Sequence, residues 1–186
     1  MPFVVKRGLA AQARAAGFAN LTEVDPWERA DLGGLRVTAA PARHSVPEVS
    51  FAIEGDGQAV FFGGDTLRIA ELDEVARRYP RIDLALLPVN GLAIRPAFNR
   101  QVVMTAEEAA ELAGVLRPRI AVPIHYRFTA GPLRDRLLLR YNGTPERFAT
   151  ALRAAAPTTQ AKILEPGKPF TVNGADPAPP PDPPGR

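Results

Sequence analysis

The sequence predicts an α/β domain with helices packed on a sheet, and three observations carry that prediction. Apolar strand-like runs, "AVFF", "LALLPV" and "IAVPI", alternate with helix-period segments such as "LRIAELDEVARRYP" and "MTAEEAAELAGVLRP". A hairpin signal at Gly55-Asp56-Gly57 joins two of the runs. Several runs end directly in a polar residue able to do chemistry, which is where open α/β sheets place their ligands.

Taken in order, "VVKRGLAAQARAAG" reads as a helix over about Val5 to Ala16, with Gly17 in the left-handed position that closes it and a short strand after it. "LRVTAAPA" is the next strand, and "SFAIEGDGQAVFFGGD" is a pair of strands around the Asp-Gly turn. Leu72, Val75, Ala76 and Tyr79 then recur at helical spacing until Pro80 stops the helix. "IDLALLPV" is nearly continuous in apolar residues, the pattern of a strand buried on both faces. Thr105 and Glu108 form a capping box ahead of a helix that Pro118 ends, and "RIAVPIHY" follows as a strand. A helix around Pro145 to Ala155 and a strand "AKILEP" complete the folded part, expected over 1–174. The segment 175–186, "ADPAPPPDPPGR", reads as an extended, disordered proline-rich tail.

Composition removes several function classes. The 186 residues suit one domain that buries roughly 70% of its unfolded surface. No apolar run is long enough to span a bilayer, and "MPFVVKRGLAAQARAAG" has no signal-peptide core, so the expected location is cytoplasmic with no integral membrane segment. With no cysteine there is no disulfide, thiolate nucleophile or sulfur-rich zinc site. The net charge of +3 is modest and the arginines are spread, apart from a locally basic stretch over Arg127 to Arg140, so nucleic acid is not the expected partner. A small anionic substrate is.

Only two histidines occur, His44 and His125, each directly after an apolar strand, and Asp65 ends "FFGGD" in the same way. Imidazole nitrogen and carboxylate oxygen on rigid elements are what a borderline divalent metal requires. Each residue also has a plainer reading: Asp65 as a helix cap or turn residue, each histidine as a structural or solvated side chain, and the two glycines before Asp65 as a strand break. Arg95, Arg100 and Arg127, in loops after strands, could bind a phosphate or carboxylate through paired guanidinium contacts, or simply be solvated.

The ordered set "PARHS", "FFGGDT", "IDLALLPVNG" and "RIAVPIHY" resembles the metallo-β-lactamase superfamily, in the branch of the lactonases and of the N-acylphosphatidylethanolamine phospholipase D type, over about Val4 to Pro169. The resemblance implies an αββα sandwich with metals at one rim. It implies that His44 is a ligand of the first metal, that Asp65 is the catalytic carboxylate bridging two metals, and that His125 is a ligand of the second. One or two zinc ions would be the cofactor, and a metal-bound hydroxide would attack a phosphoester, phosphodiester or lactone. The family's His-x-His-x-Asp-His signature does not occur in the 186 residues. The expectation is therefore a partial αββα sandwich, an N-terminally incomplete domain of weakened metal occupancy that self-associates or binds a complementing N-terminal segment. Three readings stand side by side at this point: a metal-dependent hydrolase, a non-catalytic remnant serving as a binding or assembly module, and an unrelated α/β protein in which Asp65 caps a helix.

Overall fold

The computed structural model describes residues 2–172. Seven strands form the main sheet in the order β12-β10-β7-β6-β5-β4-β3. These are β3 (Arg29–Leu32), β4 (Leu35–Pro41), β5 (Val49–Gly55), β6 (Gln58–Phe62), β7 (Leu84–Pro88), β10 (Ile120–Ile124) and β12 (Gln160–Ala161). A parallel pair, β1 (Pro2–Lys6) with β2 (Asn20–Val24), and a small sheet of β8 (Ala93–Ile94), β9 (Arg100–Gln101) and β11 (Leu139–Arg140) complete the strands of the described residues. The helices are α1 (Ala10–Ala15), α2 (Asp73–Arg78), α3 (Ala106–Leu116), α4 (Pro132–Leu138) and α5 (Pro145–Ala155).

Strand direction is what positions the site. β6, β7 and β10 run parallel to one another, β5 is antiparallel to β6, and β4 is antiparallel to β5. Strands β4, β6, β7 and β10 therefore all end on one rim, and β5 begins there. The hairpin forms where the sequence places it, with Asp56 and Gly57 at φ 49° and 73°, the left-handed pair of a two-residue turn whose twist matches its strands.

One face of the sheet carries Phe61, Ala85, Leu87 and Ala121 and packs on Leu72 in the turn before α2 and on α2, α3 and α5 through Val75, Leu112, Phe148 and Leu152. These large side chains are almost wholly buried, and burying each contributes roughly 1.5–3 kcal/mol. The Thr105 side chain accepts from the Glu108 amide and the Glu108 carboxylate accepts from the Thr105 amide, so the expected capping box closes α3. The opposite face is less covered. Ala39, Val49 and Phe51 pack there with Val4 and Val24 of the β1–β2 pair, but Leu84 and Leu86 are only half-buried and Phe62 is exposed. Strand β7 is thus buried on its helix side and not on both, because the β1–β2 pair covers only the β4–β5 end.

Two further sequence expectations need correction. The helix expected over Val5–Ala16 keeps only Ala10–Ala15; the β-branched Val4 and Val5 instead sit in β1, which pairs with β2, and Gly8 at φ 90° makes the break. Gly17 does close α1 at φ 93°: its amide donates to the Arg14 carbonyl and that of Phe18 to Ala13. The last strand ends at Ala161, since the Lys162 amide makes the final bond to β10 before the chain leaves the edge toward Pro166. The tail expected from Ala175 lies outside the described residues.

Candidate metal centre

His44, Asp65 and His125 follow β4, β6 and β10 and stand on the common rim. A fourth group joins them from the beginning of β5. Nitrogen or carboxylate atoms of His44, Glu48 and Asp65 all lie within 4.8 Å of one another, and His125 Nε2 is 3.3 Å from Asp65 Oδ2. Glu48 is legible in the sequence only through topology. Since β5 is antiparallel to its neighbours, its first residues share the rim where the other strands end, whereas a search of strand C-termini passes over it.

Backbone hydrogen bonds hold the loops in register. The Arg43 amide donates to Thr66 Oγ1 at 2.9 Å and the Leu67 amide donates to the Arg43 carbonyl at 2.8 Å, fixing the His44 loop to the Asp65 loop. Ser50 Oγ donates to the Gly63 carbonyl at 2.7 Å. The Asp65 amide donates to Glu48 Oε1 at 2.8 Å, so one oxygen of Glu48 is occupied by backbone. Gly64 sits at φ 64°, and a Cβ there would lie 2.4 Å from Glu48 Oε1, so the Glu48 carboxylate occupies space that only glycine leaves. Gly64→Ala is expected to displace that carboxylate and to lower stability by about 1–2 kcal/mol, the cost of alanine in left-handed backbone; unchanged chemical denaturation would count against this seat.

The electrostatics are those of a site short of positive charge. The His125 imidazole beside Asp65 holds its carboxyl below the usual range, against the opposite push of burial. Burial pushes Glu48 up; the hydrogen bond from the Asp65 amide pulls it down, and the Asp65 charge pushes it up again. Among the described residues no lysine or arginine forms an ion pair with either carboxylate. An imidazole and two carboxylates with no cation match the donor chemistry of a divalent ion.

His44 Nδ1 donates to the Val102 carbonyl at 2.8 Å, which leaves Nε2 with its lone pair free. His125 has φ 63°, unusual for a residue other than glycine, and its ring stacks on Phe128 at 5.2 Å. A cavity of about 420 Å³ opens beside it, lined by Leu86, Val122, Arg127, Leu164 and Lys168. Of the three arginines singled out in the sequence, Arg127 reaches this cavity. The Arg95 guanidinium donates to the Leu139 carbonyl, and Arg100 is exposed on β9.

Comparison with known proteins adds the decisive observation: residues 3–126 match the family described as the beta-lactamase superfamily domain. The chain belongs to that family. Among its relatives, a metal-dependent hydrolase of Deinococcus radiodurans is 28% identical over 166 residues, covering 84% of this chain and 67% of the relative. One of Thermococcus onnurineus is 31% identical over 104 residues, covering 52% and 42%. The chain thus spans between about two fifths and two thirds of the length of these two relatives. Among solved structures, the metallo hydrolase Igni18 of Ignicoccus hospitalis matches with a TM-score of 0.69 at 24% identity, over 90% of this chain and 66% of that one. The metallo-beta-lactamase fold protein YhfI of Bacillus subtilis matches at 0.66 and 13%, over 90% and 63%. Both share the fold of the described sheet and helices, the metallo-β-lactamase fold. Among the described residues no helix is long and apolar enough to cross a membrane.

Proposed function

We propose that this chain carries the rim of a metal-dependent hydrolase centre acting on a small anionic phosphoester, phosphodiester or lactone. The observation that carries the reading is the convergence of His44, Glu48 and Asp65 donor atoms within 4.8 Å, on loops tied together by backbone hydrogen bonds. His44 would offer Nε2, and Glu48 and Asp65 one carboxylate oxygen each, to a divalent ion, zinc by the resemblance. A bound ion there supplies a Lewis acid for a phosphoryl or acyl oxygen. The other groups belong to the chain itself. His125 stands against Asp65 and orients it. Arg127, which lines the cavity beside His125, would hold an anionic group in a bidentate manner. Arg95 and Arg100 would act only on substrate extending past β8 and β9.

The test is hydrolysis of an activated phosphodiester and of a simple lactone by the purified chain with zinc or manganese. Activity that Asp65→Asn lowers at least ~100-fold, at unchanged melting temperature, is expected. Equal activity in the variant would overturn the reading.

One observation favours a second reading, that of an assembly module. Phe62, Leu84 and Leu86 form a partly uncovered apolar strip on the face opposite the helices, and stable monomers rarely leave such strips open. A second copy of the chain placed on this strip predicts a dimer in sedimentation velocity at micromolar concentration, dissociated by Phe62→Asp. A concentration-independent monomer excludes it.

A further inference from the structure

The small sheet of β8, β9 and β11 carries apolar side chains that nothing in the chain covers. β11 pairs with β8 and β8 with β9. α4 runs directly into β11, and a single helical turn, Arg95–Ala97, directly follows β8, so α4 and that turn lie side by side. Phe98 comes next. Its side chain is fully exposed, and Phe98 and Asn99 both have left-handed backbone, at φ 54° and 56°. A bulky aromatic residue rarely takes that conformation, and here the strain buries none of the ring within the chain. On α4, Leu133 is 70% exposed, and Leu137, one turn further along the same side, is 57% exposed. Phe98 and Leu133 are the two most exposed large apolar side chains of the described residues.

The charge around them is of one sign. Arg95, Arg100, Arg134, Arg136 and Arg140 are all exposed on these elements, and none forms an ion pair among the described residues. From Asn90 to Ala106 and from Arg117 to Thr144 the sequence holds a single acidic residue, Asp135. Its carboxylate is already engaged by the Thr129 and Tyr141 hydroxyls and the Ala130 amide. Arginines elsewhere are matched, as Arg7 is by Asp25 and Glu28, and Arg77 and Arg78 are by Glu74.

The chemistry of the patch decides between partners. A second copy placed on it would set arginines against arginines, because a twofold contact repeats the same surface on both sides. A nucleic acid would engage the guanidinium groups and leave the leucines without a role. A fully exposed aromatic ring and two leucines among unpaired arginines match the surface of a bilayer containing anionic lipid. There the apolar groups enter the interface while the arginines remain at the level of the phosphates.

We propose that α4 and the Phe98 turn form a peripheral docking surface for an anionic membrane. The inference needs no metal ion and stands apart from the hydrolase reading. Attachment of this kind is reversible and weakened by salt. It sets the candidate metal centre close to the bilayer: Val102, which accepts from His44, directly follows β9, and the Phe128 ring, between β10 and α4, stacks on His125.

The experiment is flotation of the full 186-residue chain with vesicles of phosphatidylcholine alone, and of phosphatidylcholine with about one third phosphatidylglycerol. Binding to the anionic vesicles is expected to be at least ~10-fold tighter and to fall steeply as salt is raised. Phe98→Ser with Leu133→Ser, and separately Arg134→Glu with Arg136→Glu, should each weaken it at least ~10-fold at unchanged melting temperature, since all four side chains are exposed. Arg14→Glu with Arg153→Glu makes the same charge change on α1 and α5, and should weaken binding less than about threefold. Phe98→Trp should be quenched by bromine-bearing lipid beyond the quenching of Trp27 in the wild-type chain, which reports insertion. Wild-type chain that does not float with anionic vesicles overturns the proposal. So does a Phe98→Ser, Leu133→Ser variant that floats as well as wild type, since charge alone would then explain the adsorption. A dimer in sedimentation velocity that this variant dissociates would give the patch to a second copy, and tighter binding to duplex DNA than to vesicles would give it to nucleic acid; either result overturns the membrane assignment.

Discussion

Gly143→Ala is expected to cost the chain about 3 kcal/mol or more, a drop of roughly 6–12 °C in melting temperature for a protein of this size. A Cβ at Gly143 would lie 1.8 Å from the Val89 carbonyl oxygen, 3.0 Å from the Val89 carbonyl carbon and 3.1 Å from the Ala106 nitrogen. All three are main-chain atoms, so no side chain can swing aside. The segment could relieve the clash only by lifting from the end of β7, which would break the bonds that Asn142 and Gly143 make to the Asn90 carbonyl. Those bonds seat Asn90, whose side-chain nitrogen lies 2.7 Å from His125 Nδ1, so the damage reaches the rim. Urea denaturation measures the loss; a variant within 1 kcal/mol of wild type would show that the crossing segment is not held as described.

The parts of this fold that local chemistry determines were legible in the sequence, and those that depend on pairing partners were not. The Asp56-Gly57 turn, the Thr105–Glu108 box and the Leu72–Val75 stripe each need only a few neighbouring residues, and each forms as read. β1 was not legible, because its short run Phe3 to Val5 directly precedes an alanine-rich helical segment, and the parallel partner that recruits Val4 and Val5 lies at Leu21 to Glu23. The same division runs through the site. His44, Asp65 and His125 were visible as polar ends of apolar runs. Glu48 required knowing that β5 runs against its neighbours, and the partners of the two histidines required contacts across 58 residues from His44 to Val102 and 35 from Asn90 to His125.

Glu48→Gln should move stability in opposite directions with and without metal, which separates a ligand from a structural carboxylate. Burial and the Asp65 charge raise the Glu48 carboxyl against the pull of the Asp65 amide. A carboxyl whose folded pKa lies above its unfolded value of about 4.3 favours the neutral form in the folded state. Its ionised form therefore costs stability as pH rises through the folded pKa, and that cost is absent below the unfolded value. Glutamine is neutral throughout and its Oε1 can still accept from the Asp65 amide. At pH 8 and without metal the variant should melt at or above the wild-type temperature, with the difference vanishing near pH 4. With zinc the order should reverse: loss of one carboxylate ligand weakens binding by about 10–100-fold, and at saturating zinc a hundredfold weakening removes about 2.7 kcal/mol of stabilisation. Paired melts at pH 8, with zinc and with chelator, test both halves. A variant that is less stable without metal and gains as much from zinc as the wild type would make Glu48 a strut for the Asp65 loop and remove it from the metal centre.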